Sequence, residues 1–204
     1  MEKVSLLVIT NKTCSLELII MTDVTNIATK LADLKLFQNV LLETEQKLIA
    51  QTDDNTICER LEGMIKSDRE NLGIIEAVIS RHGNAAEPRD ITQQHAQKVS
   101  QMMSGSELTL YDKYLQLELL KHQQTMTGLV LHKVAQSLND DLQDMMEPLN
   151  RVNFENRAHQ EILKGVLYFV GTREIAGKEP DMGLWASIEQ GIAALKGVVS
   201  SAVS

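Results

Sequence analysis

The sequence predicts an all-α fold, an up-down-up-down four-helix bundle with a short connecting helix and a C-terminal accessory helix. Apolar residues recur at three- and four-residue steps through four long segments, and turn chemistry separates those segments. Aromatic residues make up only 3% of a chain that is 43% hydrophobic, so the interior is filled by Leu, Ile, Val, Ala and Met, as in packed helices rather than sheets. The 204 residues suit one domain with an appendage.

Residues 1–22 read as an N-terminal extension outside the fold. Their apolar runs, 4–9 and 16–21, are interrupted by Asn11-Lys12-Thr13 and Glu17 and are too short to span a bilayer, and Glu2 sits where a secretory leader would be basic. The helical domain then covers 23–204. Its first helix runs over about 23–51, with Leu31, Leu34, Phe37, Leu41 and Leu48 on one face. Thr52-Asp53-Asp54-Asn55 supplies a turn and an N-cap, and Ile57, Leu61, Met64, Ile65, Leu72, Ile75 and Ile79 carry an antiparallel second helix. It stops near Gly83, with Pro88 beyond.

Asp90 with Gln93 resembles a capping box for a short helix to about Met103. Ser104 with Glu107 forms a better one, opening a long third helix with Leu110, Tyr114, Leu117, Met126, Leu129 and Leu138, which ends at Asn139-Asp140-Asp141. Pro148 suits the first turn of a fourth helix bearing Val152, His159, Ile162, Leu163, Val166 and Phe169, with Gly171 and Gly177 ending it. A last helix over about 181–198 packs across the bundle and offers a surface for a homodimer.

The net charge of −8 and the absence of any run of four Lys/Arg disfavour tight, sequence-independent nucleic-acid binding, so the sequence carries no strong nucleic-acid signal. Two cysteines without Cys-x-x-Cys spacing suit a reducing cytoplasm. No Ser/His/Asp order or nucleophile-elbow motif suggests covalent catalysis.

The unusual feature is acid and imidazole within apolar stripes: Glu45 between Leu41 and Leu48, Asp68 between Ile65 and Leu72, and His159 between Val152 and Ile162. Buried carboxylates are costly unless paired or metal-bound. Glu118 with His122 and Glu155 with His159 each place two ligand types four residues apart on one helix face, although the familiar di-iron spacing is three. If the turns near Asp53 and Asp144 share one end of the bundle, His132 and Glu155 are level, with His159, Glu45 and Asp68 close by. His122, Glu118 and Glu76 then form a deeper group. The candidate metal ligands are Glu45, Asp68, Glu118, His122, His132, Glu155 and His159.

The segments 118–122, 126–129, 132–133 and 153–160 resemble cyanobacterial hemerythrin-like proteins with an HHE cation-binding domain. The resemblance covers about 21–204 and implies a four-helix bundle with a non-haem di-iron centre that binds or senses oxygen. The chain departs from that pattern: its first helix has no His, its second has none before His82, and no acid follows His159 at the usual place. The residues carried over are Glu118, His122, Glu155 and His159, with His132 as a fifth, a carboxylate-rich set closer to ferritin-like bundles. The leading expectation is therefore a cytoplasmic iron protein, mononuclear or di-iron, with manganese or zinc as other candidates. It would handle oxygen, peroxide or metal in a stress response. A metal-free helical scaffold is the second reading, and a metal-dependent hydrolase such as a nuclease, using Mg²⁺ or Mn²⁺, is the third.

Overall fold

A computed structural model describes the backbone of residues 4–181 and 183–202 and the side chains of 25–181 and 183–194. It is all helical: α1 (Val4–Ile49), α2 (Asn55–His82), α3 (Asp90–Ser104), α4 (Leu110–Leu138), α5 (Asp140–Met146), α6 (Leu149–Ala176) and α7 (Gly183–Ala202), with no strand among the described residues. The reading of 1–22 as an extension concerns side chains outside those described. No helix of the described residues is long and apolar enough to cross a membrane.

Local chemistry sets most boundaries. The Asp54 carboxylate accepts from the amides of Thr56 (3.0 Å) and Ile57 (3.2 Å) at the start of α2, and Gly83 ends that helix at φ 75°, where a side chain would be strained. Neither expected capping box forms. Ser104 closes α3, its hydroxyl donating to the Ser100 carbonyl at 2.9 Å, and α4 is capped instead by Thr109, which accepts from the Asp112 amide at 3.2 Å. Arg89 precedes α3 without a side-chain cap; its amide donates to Asp33 Oδ1 of α1 at 2.9 Å, which fastens the start of α3 to the first helix. Asn139 ends α4 and caps α5, accepting from the Leu142 amide at 2.8 Å, so a short helix replaces the expected simple turn. Gly171 does not end α6: it is buried in the helix under the Tyr111 ring, and Gly177 at φ 61° is the cap.

Contacts fix the helix directions. Lys35 meets Glu76 at 2.8 Å and Gln38 reaches the Asp68 carbonyl at 3.2 Å, so α2 runs back along α1. The chain then returns along α1 through α3, since Arg89 lies on Asp33 while Lys47 and Gln51 lie on the carbonyls of Ser100 (3.2 Å) and Met103 (3.3 Å). Consequently α4 descends antiparallel to α1: Lys113 meets Gln51 at 2.6 Å, and Gln124 meets the Leu34 carbonyl at 2.9 Å. Helix α6 runs antiparallel to both α2 and α4, with Arg151 on Glu70 (2.7 Å), Arg173 on Asp54 (2.7 Å) and Gln160 on Glu118 (2.8 Å). The turns near Asp53 and Asp144 therefore lie at opposite ends. The expected depth alignment fails because α3, 15 residues and about 22 Å long, is a full return leg.

The core is divided. One apolar cluster gathers Phe37, Leu41, Leu61, Tyr114, Leu163 and Phe169; the other gathers Leu31, Leu34, Ile75, Leu131, Leu149 and Val152. Between them along α2, α4 and α6 lie the buried polar residues Asp68, Asn71, Lys121, Gln124, Asn153, Asn156 and His159. The third-helix stripe is displaced from the expected one: Met126 (47% exposed) and Leu138 (41%) face outward, and Lys121, Gln124 and Gly128 face in.

Helix α7 packs on α6 through Trp185, whose ring lies 4.9 Å from that of Phe169 and beside Gly165. A side chain at Gly165 would overlap Ile188 and press on the indole. Gly165→Leu is thus expected to cost about 1–3 kcal/mol in denaturant unfolding and to speed proteolysis between α6 and α7. Unchanged unfolding and proteolysis would show that α7 does not dock there.

Candidate functional site

Four helices each send one charged or ionisable side chain to a single buried point. Glu45 from α1, Asp68 from α2 and His159 from α6 each offer a ligand atom within 4.8 Å of the others, so three of the seven candidate ligands meet. The fourth arrival is Lys121 from α4. Its ammonium lies 3.0 Å from Glu45 Oε1 and hydrogen-bonds Asp68 Oδ2, and Glu45, Asp68 and Lys121 are all 0% exposed. The cation at the centre of this cluster is a lysine of the chain itself. Asp68 also accepts from Asn71 Nδ2 at 3.2 Å.

His159 Nε2 lies 2.7 Å from Ser67 Oγ, and that hydroxyl has its own acceptor in the Met64 carbonyl at 3.1 Å. This arrangement puts the imidazole proton on Nε2, leaving Nδ1 without a hydrogen-bond partner, 3.6 Å from Asp68 Oδ1. Although Ser67, His159 and Asp68 are neighbours, that distance is too long to orient a catalytic imidazole as in a serine triad.

Burial governs the protonation states. It would raise Asp68, but the Lys121 ammonium more than offsets it and holds the carboxyl well below its usual range. Glu45 is pushed well up by burial despite Lys121, and the two carboxyls keep Lys121 charged against the burial that would lower it. Burial, then the Lys121 charge, lowers His159 from 6.5 to about 3, so the folded protein holds it neutral. The unfolded chain therefore binds the extra proton between pH 6.5 and 3, and the His159 contribution to stability is lost as the pH falls through that window. Glu45, protonated when folded, acts in the opposite sense. The clean readout is thus the difference between wild type and His159→Gln: below pH 6.5 the wild type should lose about 1.4 kcal/mol per pH unit relative to the variant. Parallel pH profiles of unfolding would refute the assignment.

The other candidates lie elsewhere. Glu118 is half-buried and His122 exposed; they share Gln160, whose amide lies 2.8 Å from Glu118 Oε1 and 3.3 Å from His122 Nδ1. His132 is half-buried near Gln136 Nε2 at 3.1 Å, and Glu76 is committed to Lys35. The expected joining of His132 with Glu155 is not formed, because the chain turns back at Asn139 rather than near Asp144 and sets Asn153 against Gly128. The deeper group of His122, Glu118 and Glu76 is not formed, because α4 runs along α2 in the direction opposite to the expected one. Glu155 is half-buried and lines a cleft of about 330 Å³ between α2, α6 and α7, together with Glu59, Arg60, Ser67 and His159.

Sequence reasoning missed Lys121 and Glu59. Lys121 carried a signal, since it lies four residues after Leu117 and three before Gln124 on the inward face, but that face was read through Met126 and Leu129 instead.

No family model and no solved structure matches the chain. A curated protein of Nostoc sp. (strain PCC 7120) named DNA nickase is 46% identical over 178 residues, which is 87% of this chain and 51% of that protein. The chain thus spans about half the length of the curated relative it matches. This likeness overturns the leading expectation of an iron protein in oxygen, peroxide or stress chemistry, and it stands against the reading that the sequence carries no strong nucleic-acid signal. Net charge averages over the surface and does not exclude local contact with a few phosphates.

Proposed function

We propose that this chain acts on DNA, breaking one strand by metal-assisted hydrolysis in the cleft between α2, α6 and α7. The observation that carries the reading is the 46% identity to a protein named DNA nickase across most of the chain. The cleft supports it with acids that have no ion pair of their own among the described residues, Glu59 and Glu155, beside the guanidinium of Arg60. In an acidic chain, a phosphodiester approaches carboxylates only if a cation stands between them. Glu59 and Glu155 would hold hydrated Mg²⁺ or Mn²⁺, hard cations that carboxylate oxygens and water suit. Such an ion supplies phosphate neutralisation and an activated water. Arg60 lies over the Trp185 ring at 5.3 Å and is paired with Glu189, and exchanging that exposed acid for a phosphate would hold DNA at the cleft wall.

The fold reading belongs with this proposal. Helices α1, α2, α4 and α6 make a four-helix bundle in which α3 is the crossover, and the hemerythrin-like resemblance is kept for that architecture without its iron chemistry. The test is conversion of supercoiled plasmid to open circle by the purified chain. With Mg²⁺ or Mn²⁺ the open circle should accumulate, and a chelator should stop it. No open circle with protein in excess, or full activity in chelator, would overturn the proposal.

A further inference from the structure

The buried cluster presents a different chemistry from the cleft. Glu45, Asp68 and His159 are two oxygen donors and a nitrogen donor from three helices, all reaching one point, a donor set that suits a small divalent ion of borderline softness such as Zn²⁺, Mn²⁺ or Fe²⁺. Two of these groups have an atom left over: Glu45 Oε2 and His159 Nδ1 are buried and have no hydrogen-bond partner. Ligand atoms about 2.1 Å from a tetrahedral ion stand about 3.4 Å apart, so donors spread within 4.8 Å need only a small contraction.

The position that such an ion would take is held by an ammonium instead. Lys121 Nζ is bonded to Asp68 and lies 3.0 Å from Glu45, with its side chain fully buried. We infer that Lys121 is a built-in cation, closing to divalent metal a site that the chain otherwise carries in Glu45, Asp68 and His159. A divalent ion added beside the ammonium would meet a like charge a few ångströms away in a medium that screens poorly. The tethered ammonium also needs no free ion to fill the place and brings one charge rather than two. The hemerythrin-like resemblance implies a metal within the helices; the residues present here do not fit one while Lys121 remains.

The inference predicts that removing the ammonium creates metal binding. In Lys121→Ala, with the long side chain gone, Zn²⁺ titrated calorimetrically into the full chain at neutral pH should bind one ion per chain at micromolar or tighter affinity, beyond any binding by wild type. Adding Glu45→Gln should weaken that binding at least tenfold, which separates it from surface histidines such as His122. If Lys121→Ala is unfolded without metal, recovery of helicity on adding Zn²⁺, seen by circular dichroism, supports the inference equally. A variant that neither binds extra Zn²⁺ nor regains helicity overturns it, as does wild-type Zn²⁺ binding that disappears with Glu45→Gln.

Discussion

Lys121→Met is expected to destabilise the protein by about 3–5 kcal/mol, measured by denaturant unfolding. Methionine keeps much of the length and apolar volume of lysine, so the loss isolates the charge. Without the ammonium, Asp68 loses its ion pair in an interior where the neighbouring His159 is neutral in the wild type and must take up a proton against its burial to replace the lost charge. The penalty comes from stranding one partner, because an intact buried pair often contributes little over an apolar replacement. Removing both charges in Lys121→Met/Asp68→Asn should therefore recover most of the loss, to within about 1 kcal/mol of wild type. A single variant that costs less than about 1 kcal/mol would mean that water reaches the cluster and the pair is not sealed.

Glu155→Gln should reduce plasmid nicking by about 100-fold or more, and Glu59→Gln should do the same. The amide keeps the shape of the side chain and removes the negative charge that would hold a hydrated divalent ion. Glu155 is half-buried and Glu59 exposed, so neither change should move the unfolding midpoint appreciably, and lost activity would report chemistry rather than folding. Raising Mn²⁺ should restore part of the rate if the defect is metal affinity. Wild-type rates in both variants would move the reaction out of this cleft.

The helices were legible because their signals are local. Asp54, Gly83, Pro148 and Gly177 mark ends through backbone geometry that any context preserves, and the α1 stripe of Leu31, Leu34, Phe37, Leu41 and Leu48 is buried throughout. Direction was not legible. Whether α3 is a turn or a return leg depends on contacts such as Asp33 with Arg89, 56 residues apart in the chain, which no local pattern announces.

Three candidate ligands met despite the wrong direction because Asp68 and His159 stand near the middle of helices of 28 residues, and a midpoint keeps its level when a helix is reversed. His132 and Glu155 separated for another reason: the turn between α4 and α6 falls at Asn139 rather than near Asp144, which shifts the register of the two helices. Buried acids call for a positive partner, and the sequence could not say whether that partner was a metal or a lysine. Both satisfy the same electrostatics, and Lys121 reads locally like any solvated lysine on a helix.

The Lys121–Asp68 ion pair is sealed in the core, the proposed reaction lies in the cleft outside it, and His159 stands at the wall between the two. The most direct test is the rate of open-circle formation by Lys121→Met/Asp68→Asn set beside that of Glu155→Gln, with helicity measured in parallel. The account predicts nicking near the wild-type rate in the first and loss in the second. A folded core variant that no longer nicks, or a Glu155 variant that nicks normally, would contradict it.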